Sequence, residues 1–100
     1  MSLLHGVTTI ATAGTDVQAT ADTRRLLKLW AVQGNGSTGI QYLSDSASAR
    51  GLEIPWEKAI LFDFSTRDNK GASASTVKAS DIYFDADTNG DTVAWTMLVA

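Results

Sequence analysis

Asp81-Ile-Tyr-Phe-Asp-Ala-Asp-Thr-Asn-Gly-Asp-Thr-Val-Ala-Trp-Thr-Met-Leu-Val-Ala100 is the stretch whose reading decides the fold. Ile82, Tyr83 and Phe84 are β-branched or aromatic, the side chains that suit a pleated, half-buried strand. After Asn89-Gly90, Val93, Trp95, Met97 and Val99 fall on one face and Thr92, Ala94, Thr96 and Leu98 on the other. Period-2 alternation of this length marks a strand with one buried side. Asn-Gly is a strong signal for a tight hairpin, because the turn needs positive φ. The stretch therefore predicts two strands joined as a hairpin, with Trp95 in the core.

Working outward, the rest of the chain repeats these signals. Residues 7–11 (Val-Thr-Thr-Ile-Ala) and 17–21 (Val-Gln-Ala-Thr-Ala) flank Gly14 and predict a hairpin. Residues 24–32 (Arg-Arg-Leu-Leu-Lys-Leu-Trp-Ala-Val) fit either a helical stripe through Leu26, Leu29 and Trp30 or a strand. The run is short and ends in the turn-rich Gly34-Asn35-Gly36-Ser37, which favours a strand returning through residues 39–44 as a second hairpin. Leu52-Glu53-Ile54 is extended before Pro55. Ile60, Phe62 and Phe64 share a strand face opposite Leu61 and Asp63. Residues 65–80 carry Val77 as their one sizeable apolar side chain and predict a long loop, with a short edge strand near residues 76–78. The sum is seven or eight strands in a single all-β, antiparallel, jelly-roll-like sandwich over residues 7–100, preceded by an N-terminal arm at 1–6.

Composition bounds function. One hundred residues at 44% hydrophobic make one globular domain. A net charge of −3 with eight scattered Lys and Arg gives no basic footprint for nucleic acid. The absence of cysteine removes disulfides and thiolate metal sites. The start, Met1-Ser-Leu-Leu-His-Gly6, has no basic n-region, and no apolar run is long enough to span a membrane. A protein made and kept in a cytosol-like space, or assembled from there, is the expectation.

Chemistry-bearing constellations are few. Asp85-Ala-Asp87-Thr-Asn89-Gly90-Asp91 matches the opening of a calcium loop, but position 12 is Thr96 where the site requires glutamate, and the flanks are strands. The preferred reading is a solvated acidic turn that keeps a sheet edge soluble. His5, the one histidine, lies near a terminus without an oriented partner. Glu53, Glu57, Asp63 and Asp81 offer no privileged carboxylate pair. No catalytic residue, cofactor or metal is expected. Of the remaining tryptophans, Trp30 lies opposite the Leu27/Leu29 face, and Trp56, following Pro55, reads as a contact residue.

The segments Gly6-Val-Thr-Thr-Ile-Ala11, Gly51-Leu-Glu-Ile-Pro55 and the closing residues 81–95 give the chain a layout that resembles small β-sandwich structural proteins of tailed-bacteriophage virions. The likeness is one of layout, size and composition. It implies a capsid decoration (cement) protein on the virion surface, non-covalently bound to the major capsid protein and commonly trimeric, with no nucleic-acid or membrane partner. The expected contact residues are Leu3 and Leu4 in the arm, Trp56, and Arg67, Lys70 and Val77 in the long loop. Sheet edges are a further place for a partner to add. The rival expectation is a carbohydrate- or cell-surface-binding module, with exposed tryptophans stacking on sugar rings.

Overall fold

The alternation of the C-terminal stretch is realised in full. Val93, Trp95, Met97 and Val99 are buried, and Thr92, Ala94, Thr96 and Leu98 lie between them half-exposed. A computed structural model describes residues 1–45, 51–56, 58–64 and 77–100. Among these residues eight strands form: β1 (Ser2–Thr9), β2 (Val17–Gln18), β3 (Leu26–Gln33), β4 (Gln41–Ser44), β5 (Leu52–Glu53), β6 (Ile60–Asp63), β7 (Tyr83–Ala86) and β8 (Thr92–Val99). A single 3-10 turn, Ala79–Asp81, precedes β7.

Pairing follows one rule. β1 pairs with β8, β2 with β7, β3 with β6 and β4 with β5, all antiparallel. The chain is one long hairpin, and the added pairs β3–β8 and β4–β7 roll it up. The result is two four-stranded sheets, β1-β8-β3-β6 (sheet 1) and β2-β7-β4-β5 (sheet 2), the connectivity of a jelly roll.

The two inner faces make the core. Leu29, Ala31, Val93, Met97 and Val99 of sheet 1 join Leu43, Phe84 and Ala86 of sheet 2, with Ile10, Ile54 and Ile82 contributed by the connections. Each large apolar side chain buried this way stabilises by about 1.5–3 kcal/mol, which must hold a domain that has no disulfide. Residues 26–33 are a strand, and a register shift between Leu26 and Lys28 turns both Leu26 and Leu27 inward. Beyond it Leu29 and Ala31 point in and Trp30 points out. The irregularity explains why this run also fits a helical stripe.

Several expectations are corrected. Residues 1–6 are not an arm: Ser2 to Gly6 belong to β1 and pair with Val99 through Trp95 of β8. The hairpins expected at residues 7–21, 24–44 and 81–100 are not hairpins, because β1, β3 and β8 lie in sheet 1 and β2, β4 and β7 in sheet 2. The turn chemistry is nonetheless present, with Gly14, Gly36 and Gly90 at φ 85°, 81° and 85°. These turns carry the chain from one sheet to the other. The edge strand expected near residues 76–78 reduces to an isolated bridge between Arg25 and Lys78. The loop expectation for 65–76, with Arg67 and Lys70, lies outside the described residues, as does Glu57.

Candidate functional site

The acidic motif organises the fold. Asp91 is buried, and its carboxylate accepts the backbone N–H of Thr38 (3.1 Å) and Gly39 (2.8 Å) and the Gln41 amide Nε2 (3.0 Å). Buried Asp85 accepts the N–H of Gly14 (2.9 Å) and Ala86 (2.7 Å), and Asn89 Oδ1 accepts the N–H of Ala13 (2.7 Å). Three inter-sheet connections, 10–16, 34–40 and 87–91, are thus laced together at one end of the sandwich. The solvated acidic turn is corrected for Asp85 and Asp91. Their oxygens satisfy backbone donors that would otherwise be buried unpaired. A calcium shell would have to break these bonds. Among the described residues no three His, Asp or Glu side chains gather to hold a metal ion.

Among the described residues the other titratable groups do not converge. His5 lies in mid-strand on β1 with its side chain exposed. Glu53 is exposed, Asp63 lies 4.0 Å from Lys28, and Asp81 accepts the N–H of Lys78. The Arg24 guanidinium hydrogen-bonds Asp22 at the opposite end of the molecule and holds its carboxyl below the usual range.

An apolar cleft of about 270 Å³ opens between the sheets, lined mainly by Leu29, Leu43, Leu52, Phe62, Phe64 and Val77. Phe62 and Phe64 stack there at 5.9 Å.

The two outer faces differ sharply. Sheet 2 presents Gln18, Tyr83, Ser44, Tyr42 and Glu53. Sheet 1 presents two apolar-rich registers, Leu3-Leu98 and Val7-Ala94-Val32, with His5-Thr96-Trp30-Leu61 between them. Leu3 and Val7 are each 65% exposed, Trp30 41% and Leu61 68%. The charged pair Lys28 and Asp63 stands at one end of the face. Strand spacing and rise give this face roughly 400–500 Å². Its apolar part, with His5, Thr96, Lys28 and Asp63 set aside, is of the size of the largest apolar patch on an ordinary monomer, a patch that is often functional.

The expected contact residues divide accordingly. Leu3 is on the apolar face, whereas Leu4 points inward and packs against the core. Val77 is half-buried: it packs against the core, lines the cleft, and its carbonyl accepts the N–H of Leu26. Trp56 is 54% exposed, in the connection that leads from β5 of sheet 2 to β6 of sheet 1. Val7, Trp30 and Leu61, exposed on the same face, are not among the expected contact residues. The available signal was strand alternation with apolar residues on both faces. Trp95 is in the core, where its indole N–H donates to Thr8 Oγ1 at 2.9 Å.

Comparison of the chain with protein-family models, curated proteins and solved structures found no match.

Proposed function

We propose that this is a non-catalytic structural protein that attaches to a partner surface through the outer face of sheet 1. The observation that carries the reading is the exposed apolar set Leu3, Val7, Trp30 and Leu61 on a rigid sheet whose counterpart face is polar. An apolar patch with polar surroundings is what a protein-docking surface requires. The layout resemblance adds the setting: decoration of a bacteriophage head by non-covalent binding to the major capsid protein. Binding the assembled shell in preference to free subunits would stabilise it by mass action. Jelly rolls are frequent in capsid proteins, a fold-level analogy and no more.

Cosedimentation with expanded heads of the phage whose genome carries this sequence tests the proposal. Saturable binding to heads, absent with free capsid subunits, is the expected result. Two exposed tryptophans, Trp30 and Trp56, support the carbohydrate-binding alternative. Quenching of their fluorescence by soluble glycans, with no binding to heads, would favour that alternative.

A further inference from the structure

We propose that two copies of this chain associate by pairing their β1 strands antiparallel, joining both copies of sheet 1 into one eight-stranded sheet. The argument begins with the four sheet edges. β2 and β5 are two residues long, and β5 carries Glu53 and runs into Pro55. β6 is four residues long and carries Asp63 beside Lys28. These are the usual means of blunting an edge. β1, Ser-Leu-Leu-His-Gly-Val-Thr-Thr, is eight residues long and has no Lys, Arg, Asp, Glu or Pro. Its ladder to β8 runs without a register shift. Among the described residues, one edge is left unblunted where the other three are short or charged.

The backbone shows which groups face outward. Ile10 donates its N–H to Asp91 O (2.9 Å) and accepts from Gly90 N–H (2.7 Å), extending the β1–β8 register. On the far side of β8, Gly34 N–H donates to Thr92 O (2.7 Å) and Ala100 N–H to Arg25 O (2.9 Å). Even-numbered residues of β8 therefore face β3, and odd-numbered ones face β1. By ladder alternation, Leu3, His5, Val7 and Thr9 of β1 turn their N–H and C=O groups to the open edge.

The same four residues put their side chains on the apolar outer face. An antiparallel self-pairing centred on His5 sets Leu3 of each copy opposite Val7 of the other. It also keeps inward residues beside inward residues. A second copy thus satisfies the edge donors and acceptors and sets Leu3 against Val7 on either side of the two His5 rings, which meet at the two-fold axis, and β1 brings no Lys, Arg, Asp or Glu to the pairing. Such cross-strand pairs stabilise a ladder. The association is two-fold and closed, a dimer where the layout resemblance suggests a trimer. It leaves Trp30 and Leu61 uncovered and makes the two apolar faces continuous, so it stands independently of what those faces bind.

Sedimentation equilibrium of the full chain at tens of micromolar, with amide hydrogen exchange on the same sample, tests the proposal. The expected result is a dimer in which the Leu3, His5, Val7 and Thr9 amides are protected. Val7→Pro removes an edge donor without touching the β1–β8 ladder, and loss of one ladder bond per half of the interface weakens the dimer by about tenfold or more. Val7→Ala, which keeps the N–H, weakens it far less. Should the proline variant lose its fold by circular dichroism, amide protection in the unaltered chain decides. A monomer with fast-exchanging edge amides, a trimer, or a dimer indifferent to a folded Val7→Pro variant would overturn it.

Discussion

Inside the sandwich the Trp95 indole Nε1–H donates to Thr8 Oγ1 at 2.9 Å, tying β8 to the edge strand β1. Both residues are buried, so the bond is made where water cannot replace it. Thr8→Val leaves the indole donor unpaired and should cost about 1–3 kcal/mol of unfolding free energy. Trp95→Phe should cost a comparable amount through lost volume and packing. The double variant should lose less than the sum, because the second change removes the orphaned donor. Urea unfolding of the four proteins checks the cycle.

Asp91 should be the acidic residue the fold tolerates losing least. Asp91→Ala strips a partner from the Thr38 and Gly39 N–H groups and from Gln41, and should destabilise by about 3 kcal/mol. Asp91→Asn keeps one acceptor oxygen and should cost about half of that. Because these oxygens already accept protein donors, neither millimolar calcium nor a chelator should move the melting temperature of the unaltered chain. Differential scanning calorimetry measures both effects.

Gly34 is required for space. A Cβ there would collide with Thr92 Oγ1 and lie 2.6 Å from the Thr92 carbonyl oxygen, which is backbone and cannot swing aside. Gly34→Ala should therefore destabilise by about 1–3 kcal/mol. Gly14→Ala meets nothing within 4 Å but must hold φ 85°, so its smaller cost should be backbone strain alone. Chemical denaturation of the two variants separates the causes.

The pH dependence of stability should include a small acid-side contribution from Asp22. The Arg24 side chain, and then the Arg24 backbone N–H, bind its carboxylate and lower its folded pKa. A depressed carboxylate stabilises the fold above the ordinary carboxylate range and loses that contribution as pH falls through the folded value. Asp22→Asn should be slightly less stable than the unaltered chain at neutral pH, with the gap closing in strong acid. High salt should also narrow the gap, because the pair is solvent-exposed. Thermal melts across pH at two salt concentrations follow it.

What the sequence revealed and what it hid have physical reasons. Alternation placed β8 and β6 and their inward residues correctly, because burial of one face imposes period 2. It did not say which strand pairs with which. Asn89-Gly90 marks a sharp turn, but a positive φ does not fix whether the chain re-enters the same sheet. β1 was legible only in part because its inward residues include Ser2, Gly6 and Thr8 while Leu3 and Val7 point out. That inverted pattern is the mark of the apolar outer face, and it obscured the strand. The roles of Asp85 and Asp91 depend on donors far away in sequence, which local spacing cannot show.

The central claim is that the outer face of sheet 1 is the working surface. Head cosedimentation of Trp30→Lys and Leu61→Lys, beside a Tyr83→Lys control on the polar face, tests it most directly. The account predicts that either sheet 1 variant lowers head affinity by about tenfold or more, as expected for charge placed in an interface core, while the control binds as the unaltered chain does. Unchanged binding by both sheet 1 variants, with loss in the Tyr83 control, would contradict it.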